Sequence, residues 1–195
     1  MTTNTDQYFI TQTLAGNTQA YGQLVEKYQD YVFTVVVRMI KVREEAEEIA
    51  QDTFIKAYES LASFRGDSKF SSWLYSIAYR KTLDALRKKK RQGTLELIED
   101  VTEGTIDQID NALEQLERKE QRVLIQESIS KLPAEEAALI TFYYFEDQSI
   151  REIAGITNLS EQNIKVKLYR SRKKLCTLLQ GQLFLEDYIS HGKAL

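Results

Sequence analysis

The sequence predicts an all-α fold: two small helical domains joined by an acidic linker, the second of them a helix-turn-helix. Three observations carry this. Apolar residues recur at steps of three and four along nearly the whole chain, the period of a helix face. The 195 residues include only eight Gly and one Pro, too few for a turn-rich β-architecture, so long helices can run uninterrupted. Near the C-terminus a capping-box serine opens a short helical segment, and a tight turn separates it from a longer basic one. The boundaries read as a first domain over 1–92, a linker over 93–122, a second domain over 123–182 and a tail over 183–195.

The N-terminus, MTTNTDQYFITQTLAG, lacks a basic n-region and an apolar h-region, so no secretion signal is expected. No run of about 18 apolar residues exists to span a membrane. A cytoplasmic protein without membrane insertion is the expectation. The next helix is predicted over 17–40, with Leu24, Tyr28, Tyr31, Val35 and Met39 on one face. VFTVVV at 32–37 resembles a strand in isolation, but the helical stripe passes through it and β-branching is a weak penalty. A third helix is predicted over 42–62, with Ala46, Ile49, Ala50, Thr53, Ala57 and Leu61 inward. The loop Phe64-Arg65-Gly66-Asp67-Ser68 follows, Gly66 being free to take a positive φ. A fourth helix is expected over 71–91.

Residues 92–122 are acidic and aromatic-free, and their first half reads as a poorly ordered linker. A helical pattern resumes at Ile106, Ile109, Leu113 and Leu116 and runs toward Lys131. Pro133 then restarts a helix over 134–145. Ser149 and Glu152 have capping-box spacing. The short helix they open breaks at Thr157-Asn158-Leu159, and Ser160 caps the longer one.

Charge is patterned. Residues 63–91 carry 9 basic and 2 acidic side chains, and residues 160–174 carry 6 and 1. Residues 92–122 carry 3 and 9. Two basic islands within a chain of net charge −3 suggest two surfaces for a polyanion, although a basic run is also what a solvated helix face contains. On the last helix Ile164, Leu168, Ser171 and Leu175 share the inward side. Gln162, Val166, Tyr169 and Lys173 face outward, flanked by Lys165 and Arg170. A solvated face has little need of Val166 and Tyr169, whereas a major-groove helix can use them against thymine methyls and base edges.

On the fourth helix Trp73, Ser76, Arg80, Asp84, Arg87 and Arg91 form a stripe, extended by Phe64, Arg65, Lys69 and Phe70 in the loop. Cations mixed with aromatics suit single-stranded nucleic acid. Trp73 equally fits a core position, Arg80 and Asp84 an i,i+4 pair, and residues 88–91 a helix C-terminus. On the third helix Glu48, Asp52, Ile55 and Glu59 share an acidic face with one apolar anchor, which fits a basic protein partner or simply a solvated face.

Residues 45–58, EAEEIAQDTFIKAY, resemble the core-polymerase-binding helix of bacterial RNA polymerase sigma factors. Residues 64–78, FRGDSKFSSWLYSIA, resemble the segment of those proteins that opens the minus-ten promoter element. Leu132-Pro133 through Tyr143, Ile150–Ala154 and Asn163–Leu175 resemble the domain that reads the minus-thirty-five element. The likeness covers about 15–92 and 123–180, in the family's order. The absence of other sigma domains points to the extracytoplasmic-function group. The resemblance implies binding to core RNA polymerase through Glu48, Asp52 and Ile55. It implies minus-ten contacts at Phe64, Arg65, Lys69, Phe70, Trp73, Arg80, Arg87 and Arg91. It implies minus-thirty-five contacts at Ser160, Gln162, Lys165, Val166, Tyr169, Arg170 and Lys173. Promoter DNA and core polymerase are the implied partners, with an anti-sigma factor as a further one. Arg80 departs from the family, where many relatives have Asn, and Val166 stands where a small polar residue is common.

No P-loop, activated nucleophile or metal-ligand cluster is visible, so no enzyme, cofactor or metal is expected. One Cys and one His leave no disulfide framework and few metal ligands. An ordinary helix-turn-helix regulator would explain 130–180 and leave 44–91 unexplained. A purely structural helical protein would leave both basic islands without a reason.

Overall fold

The computed structural model describes residues 2–93 and 118–191. All regular structure among these residues is helical. The first half holds α1 (Thr2–Leu14), α2 (Thr18–Ile40), α3 (Arg43–Glu59), a 3-10 turn (Leu61–Ser63) and α4 (Phe70–Arg91). The second holds α5 (Arg118–Ser130), α6 (Ala134–Tyr144), α7 (Ile150–Thr157) and α8 (Glu161–His191). The helical pattern expected from Ile106 and most of the acidic linker fall on 94–117, outside the described residues. The backbone of α8 runs to His191, beyond the expected boundary at 182.

Local chemistry explains the helix ends. Asn17 caps α2, its side chain accepting from the amides of Gln19 and Ala20. α2 ends on Lys41 in the left-handed region, φ 63°. Pro133 precedes α6, where its missing N–H costs nothing. Ser149 and Glu152 form both halves of the capping box on α7. Asn158, φ 59°, closes α7 in the left-handed conformation that Asn tolerates better than most residues. The Ser160 hydroxyl accepts from the Asn163 amide at the start of α8.

α2 is the central element and packs on α1, α3, α4 and α6. The residues 32–37 are helical, as the stripe required. Leu24, Tyr28, Val35 and Met39 are buried, joined by Val32, Val36 and Ile40. Tyr31 is a correction: it is 47% exposed, because a helix with neighbours on several sides buries an arc that drifts along it. On α3 the expected inward residues are buried, except that Ile49 is only half-buried and Phe54 joins the core. Asp6 ties α1 to α2, accepting from the Tyr28 hydroxyl at 2.6 Å and pairing with Lys27.

The two halves are docked, and their buried residues form one continuous cluster. α4 packs on α7, and α2 on α6. Tyr75 and Tyr79, buried on α4, lie 5.6 and 6.3 Å from the ring of Phe142 on α6. Around this contact sits a polar ring. The Ser72 hydroxyl donates to Gln148 Oε1 at 2.9 Å, and the Tyr75 hydroxyl to Glu146 Oε2 at 2.7 Å. Lys69 pairs with Glu152 at 2.8 Å, and Lys41 Nζ donates to the Leu132 carbonyl at 2.8 Å. Arg38 donates to the Thr141 hydroxyl at 3.2 Å and stacks 4.1 Å from the Phe145 ring centroid.

Candidate nucleic-acid interface

The α3 face is assembled as its spacing requires. Glu48, Asp52, Ile55 and Glu59 are all exposed, Ile55 at 58%. The opposite side of the helix supplies Ala46, Ala50, Thr53 and Ala57 to the core, which fixes the orientation. Asp52 pairs with Lys81 of α4 at 3.2 Å, and Glu59 with Lys56 at 3.3 Å. Both bridges are largely solvated and contribute little.

The loop after α3 turns at Gly66, φ 77°. Its aromatics form a cluster: Phe64, Phe70 and Trp73 lie 5.3 to 5.7 Å apart between ring centroids. Phe70 is a correction. It is 4% exposed and packs on Tyr28, so it forms the floor of the cluster and offers no free face to a base. Phe64 and Trp73 are half-buried, with part of each ring accessible. Beside them lies a cavity of about 100 Å³, lined by Asp6, Tyr28, Phe64, Gly66, Lys69 and Phe70 among others. The contribution of α1 to this site is not visible in the sequence, because Asp6 has no periodic or motif signal. Arg65 is exposed, and the Lys69 ammonium is engaged by Glu152.

Along α4, Arg80, Arg87 and Arg91 are exposed. Two details of the expected stripe change. Ser76 is buried, its hydroxyl donating to the Trp73 carbonyl. Asp84 pairs with Arg87 at 3.0 Å and not with Arg80. Arg80 forms no ion pair among the described residues.

The helix-turn-helix is built by α7 and α8. On α8 Ile164, Leu168 and Ser171 of the predicted inward set are buried and Leu175 is half-buried, while α7 buries Ile153 and Ile156. Gln162, Lys165 and Arg170 are exposed, as are Val166 at 41% and Tyr169 at 48%. Lys173 is half-buried, its ammonium 4.9 Å from the Tyr169 ring centroid. Ser160 serves first as a cap, through Asn163. Two cations of this basic island turn inward instead: Lys167 pairs with Glu135 at 3.1 Å and Lys174 with Glu136 at 2.9 Å.

The docking contact has its own electrostatics. Burial pushes the Glu146 carboxyl above its usual range, against the Tyr75 hydrogen bond and Arg38. Burial also opposes ionisation of Glu152. There the Lys69 ammonium and the hydroxyl and amide of Ser149 prevail and hold the carboxyl below its usual range. No three His, Cys, Asp or Glu side chains among the described residues are grouped to hold a metal ion. None of the described helices is long and apolar enough to cross a membrane.

Two family models match this chain: Sigma-70 region 2 over residues 24–92 and Sigma-70, region 4 over residues 122–175. The first holds α3, the aromatic loop and α4; the second holds α6, α7 and the outward face of α8. The ECF RNA polymerase sigma factor SigW of Bacillus subtilis is 35% identical over 175 residues, 85% of this chain and 92% of the relative. The RNA polymerase sigma-H factor of Pseudomonas aeruginosa is 30% identical over 192 residues, 94% and 98% of the two chains. Among solved structures, CnrH in complex with the cytosolic domain of CnrY superposes with a TM-score of 0.60 at 21% identity, covering 91% and 98%. The sigma factor RpoE in complex with the anti-sigma factor NepR from Bartonella quintana does so with 0.64 at 20%, covering 82% and 96%. At those identities the two structures speak to the fold alone.

Proposed function

The chain belongs to the extracytoplasmic-function group of RNA polymerase sigma factors, and from that premise we propose which of its surfaces carry out each part of the task. As a sigma factor it binds core RNA polymerase, directs it to promoters and performs no catalytic chemistry. Region 2 serves the minus-ten element and region 4 the minus-thirty-five element.

The α3 face binds core polymerase: Ile55 is the apolar anchor, and Glu48 and Asp52 meet a basic surface on the enzyme. Phe64, Trp73, Arg65 and Lys69 gather about the opened minus-ten strand, and the adjoining cavity receives an unpaired base. Arg80, Arg87 and Arg91 hold phosphates or bases alongside it. Gln162, Lys165, Val166, Tyr169 and Arg170 enter the major groove at the minus-thirty-five element, with Lys173 behind them. The observation that carries this assignment is the exposed pair Val166 and Tyr169 on the outward face of the second helix of a helix-turn-helix. Large hydrophobic side chains held in water at that position have a ready use against base edges. Action in the cytoplasm, where the polymerase works, belongs to the same proposal. So does an anti-sigma partner, supported by similar solved chains being held in complexes.

The test is transcription in vitro with core polymerase from the source organism, with start sites mapped over a promoter library. Specific starts in the presence of this chain are expected. Lys165→Ala and Arg170→Ala should reduce initiation at promoters that depend on the minus-thirty-five element. A base-reading contact is worth roughly 1–3 kcal/mol and its loss relaxes preference at one position. Initiation unchanged by both substitutions across the library would remove α8 from the interface.

A further inference from the structure

We propose that α1 carries the specificity-determining residue of the minus-ten reader: Asp6, set in the wall of the cavity beside Phe64 and Phe70, selects a single-ring base with an exocyclic amine, which is cytosine. This rests on the functional reading above, in which that cavity receives an unpaired base, and adds which base and which side chain. α1 lies outside the stretch matched by Sigma-70 region 2, residues 24–92.

The size of the space limits what can enter. It measures about 100 Å³. A cavity of about 150 Å³ admits benzene, so this one, open at its rim, takes one six-membered ring and not the fused rings of a purine. Its lining is graded. Gly66 and Ser68 are exposed at the rim, whereas Asp6, Ile10, Tyr28 and Phe70 are buried. Ile10 and Phe70 offer a ring apolar contact, and the polar groups at depth decide which ring.

The chemistry at depth is that of an acceptor. Asp6 is 7% exposed and is the only acid among the described residues that line the cavity. One of its carboxylate oxygens pairs with Lys27, and the other accepts from the Tyr28 hydroxyl at 2.6 Å. A carboxylate has about four acceptor sites, so each oxygen keeps capacity for a ligand. Lys27 and Tyr28 are positioning residues, which hold the carboxylate between α1 and α2. The Tyr28 hydroxyl has spent its one hydrogen on Asp6 and has none for an incoming carbonyl.

A pyrimidine hangs from its sugar by N1, and C4 lies across the ring, so the substituent on C4 enters first. In cytosine that substituent is an amine, a donor; in thymine it is a carbonyl, an acceptor. The amine brings Asp6 a hydrogen. The thymine carbonyl would leave two acceptors facing each other away from water. A site built for a hydrogen bond rejects a ligand that cannot make it.

The experiment is open-complex formation by the full chain with core polymerase. The non-template minus-ten strand carries cytosine, thymine or 2-pyrimidinone, which is cytosine without its amine, at each position in turn. An abasic site at the same positions marks where a base is captured. There, cytosine should exceed both others by at least about fivefold, the lower end of what a base-reading contact is worth. Asp6→Asn supplies an amide hydrogen and should bring thymine level with cytosine or above it. Lys27→Met loosens α1 from α2 and keeps the carboxylate, so it should lower the melting temperature and leave the order of bases unchanged. If Asp6 served only to tie the helices, both variants would lose stability and neither would change the order. Equal opening on cytosine and 2-pyrimidinone by the intact chain overturns the proposal, as does an unchanged order in folded Asp6→Asn. Where Asp6→Asn fails to fold, the comparison of those two bases in the intact chain decides. Opening on no promoter, or opening indifferent to an abasic site at every position, would instead overturn the functional reading of the cavity.

Discussion

Replacing Tyr75 with Phe removes one oxygen from the contact between the two halves, and its cost can be worked from the surroundings. The hydroxyl is buried and donates at 2.7 Å to a carboxylate oxygen of Glu146. Burial pushes the Tyr75 phenol far above its ordinary range, so it stays a donor at every working pH. Hydrogen bonds to charged groups are worth about 1.5–3 kcal/mol. For a chain of 150–250 residues that is a fall of about 3–12 °C in melting temperature.

The pH dependence identifies the cause. Burial already raises the Glu146 carboxyl, and the Tyr75 hydroxyl lowers it, so Tyr75→Phe raises it further. A raised folded carboxyl means that ionisation works against the fold: stability falls as pH rises from the unfolded value through the folded one. The substitution enlarges that loss. Its cost is full above the folded pKa and shrinks as pH falls through it. Urea unfolding at pH 7.5 and pH 5 measures both quantities. A cost below about 0.5 kcal/mol at pH 7.5 would mean that the halves do not dock through this bond. An equal cost at the two pH values would mean that the effect is packing and not support of a charge.

Other outcomes follow from single contacts. Ser149→Ala removes half of a formed capping box and should cost roughly 1 kcal/mol in chemical denaturation; a change under a few tenths would show that Glu152 alone holds the end of α7. Asp52→Ala and Ile55→Glu should weaken association with core polymerase in a pull-down titration while barely moving the melting temperature, since both side chains are exposed; unchanged affinity in both removes α3 from the interface. Arg80→Asn should shift base preference in a randomised minus-ten library without loss of stability, because Arg80 forms no ion pair among the described residues; identical preferences and open-complex yields would take it off the DNA.

Local signals made the second half of the chain legible. The capping box at Ser149 and Glu152, the turn at Asn158 and the inward set Ile164, Leu168 and Ser171 depend on neighbours within a few residues, and all are present as read. The acidic exposed face of α3 was legible for the same reason. Periodicity marks one stripe, however, and α4 is buried on two. Leu74 and Ala78 are buried in the common core, and Tyr75 and Tyr79 are buried beside Phe142, some sixty residues on. A contact at that separation leaves no trace in the local pattern. Phe70 misled for a related reason: an aromatic in a basic loop has the composition of a base platform, and only the positions of Tyr28 and Phe64 make it a floor. Asp6 carried no signal because its partners, Lys27 and Tyr28, lie on another helix.

The inward turn of Lys167 and Lys174 onto Glu135 and Glu136 alters how the recognition helix responds to salt. The segment 160–174 has six cations in sequence, and a count of charges would predict six displaced counterions. With two neutralised from within, no more than four remain to replace them. The logarithm of affinity then falls with a slope no steeper than about −3.6 against the logarithm of salt, where six would give about −5.4. Between 50 and 200 mM salt that is a loss of about 150-fold in place of about 1,800-fold. The two glutamates of α6 thus trade non-specific grip for tolerance of ionic strength. A domain so trimmed would hold DNA less tightly at low salt and lose less of that hold as salt rises.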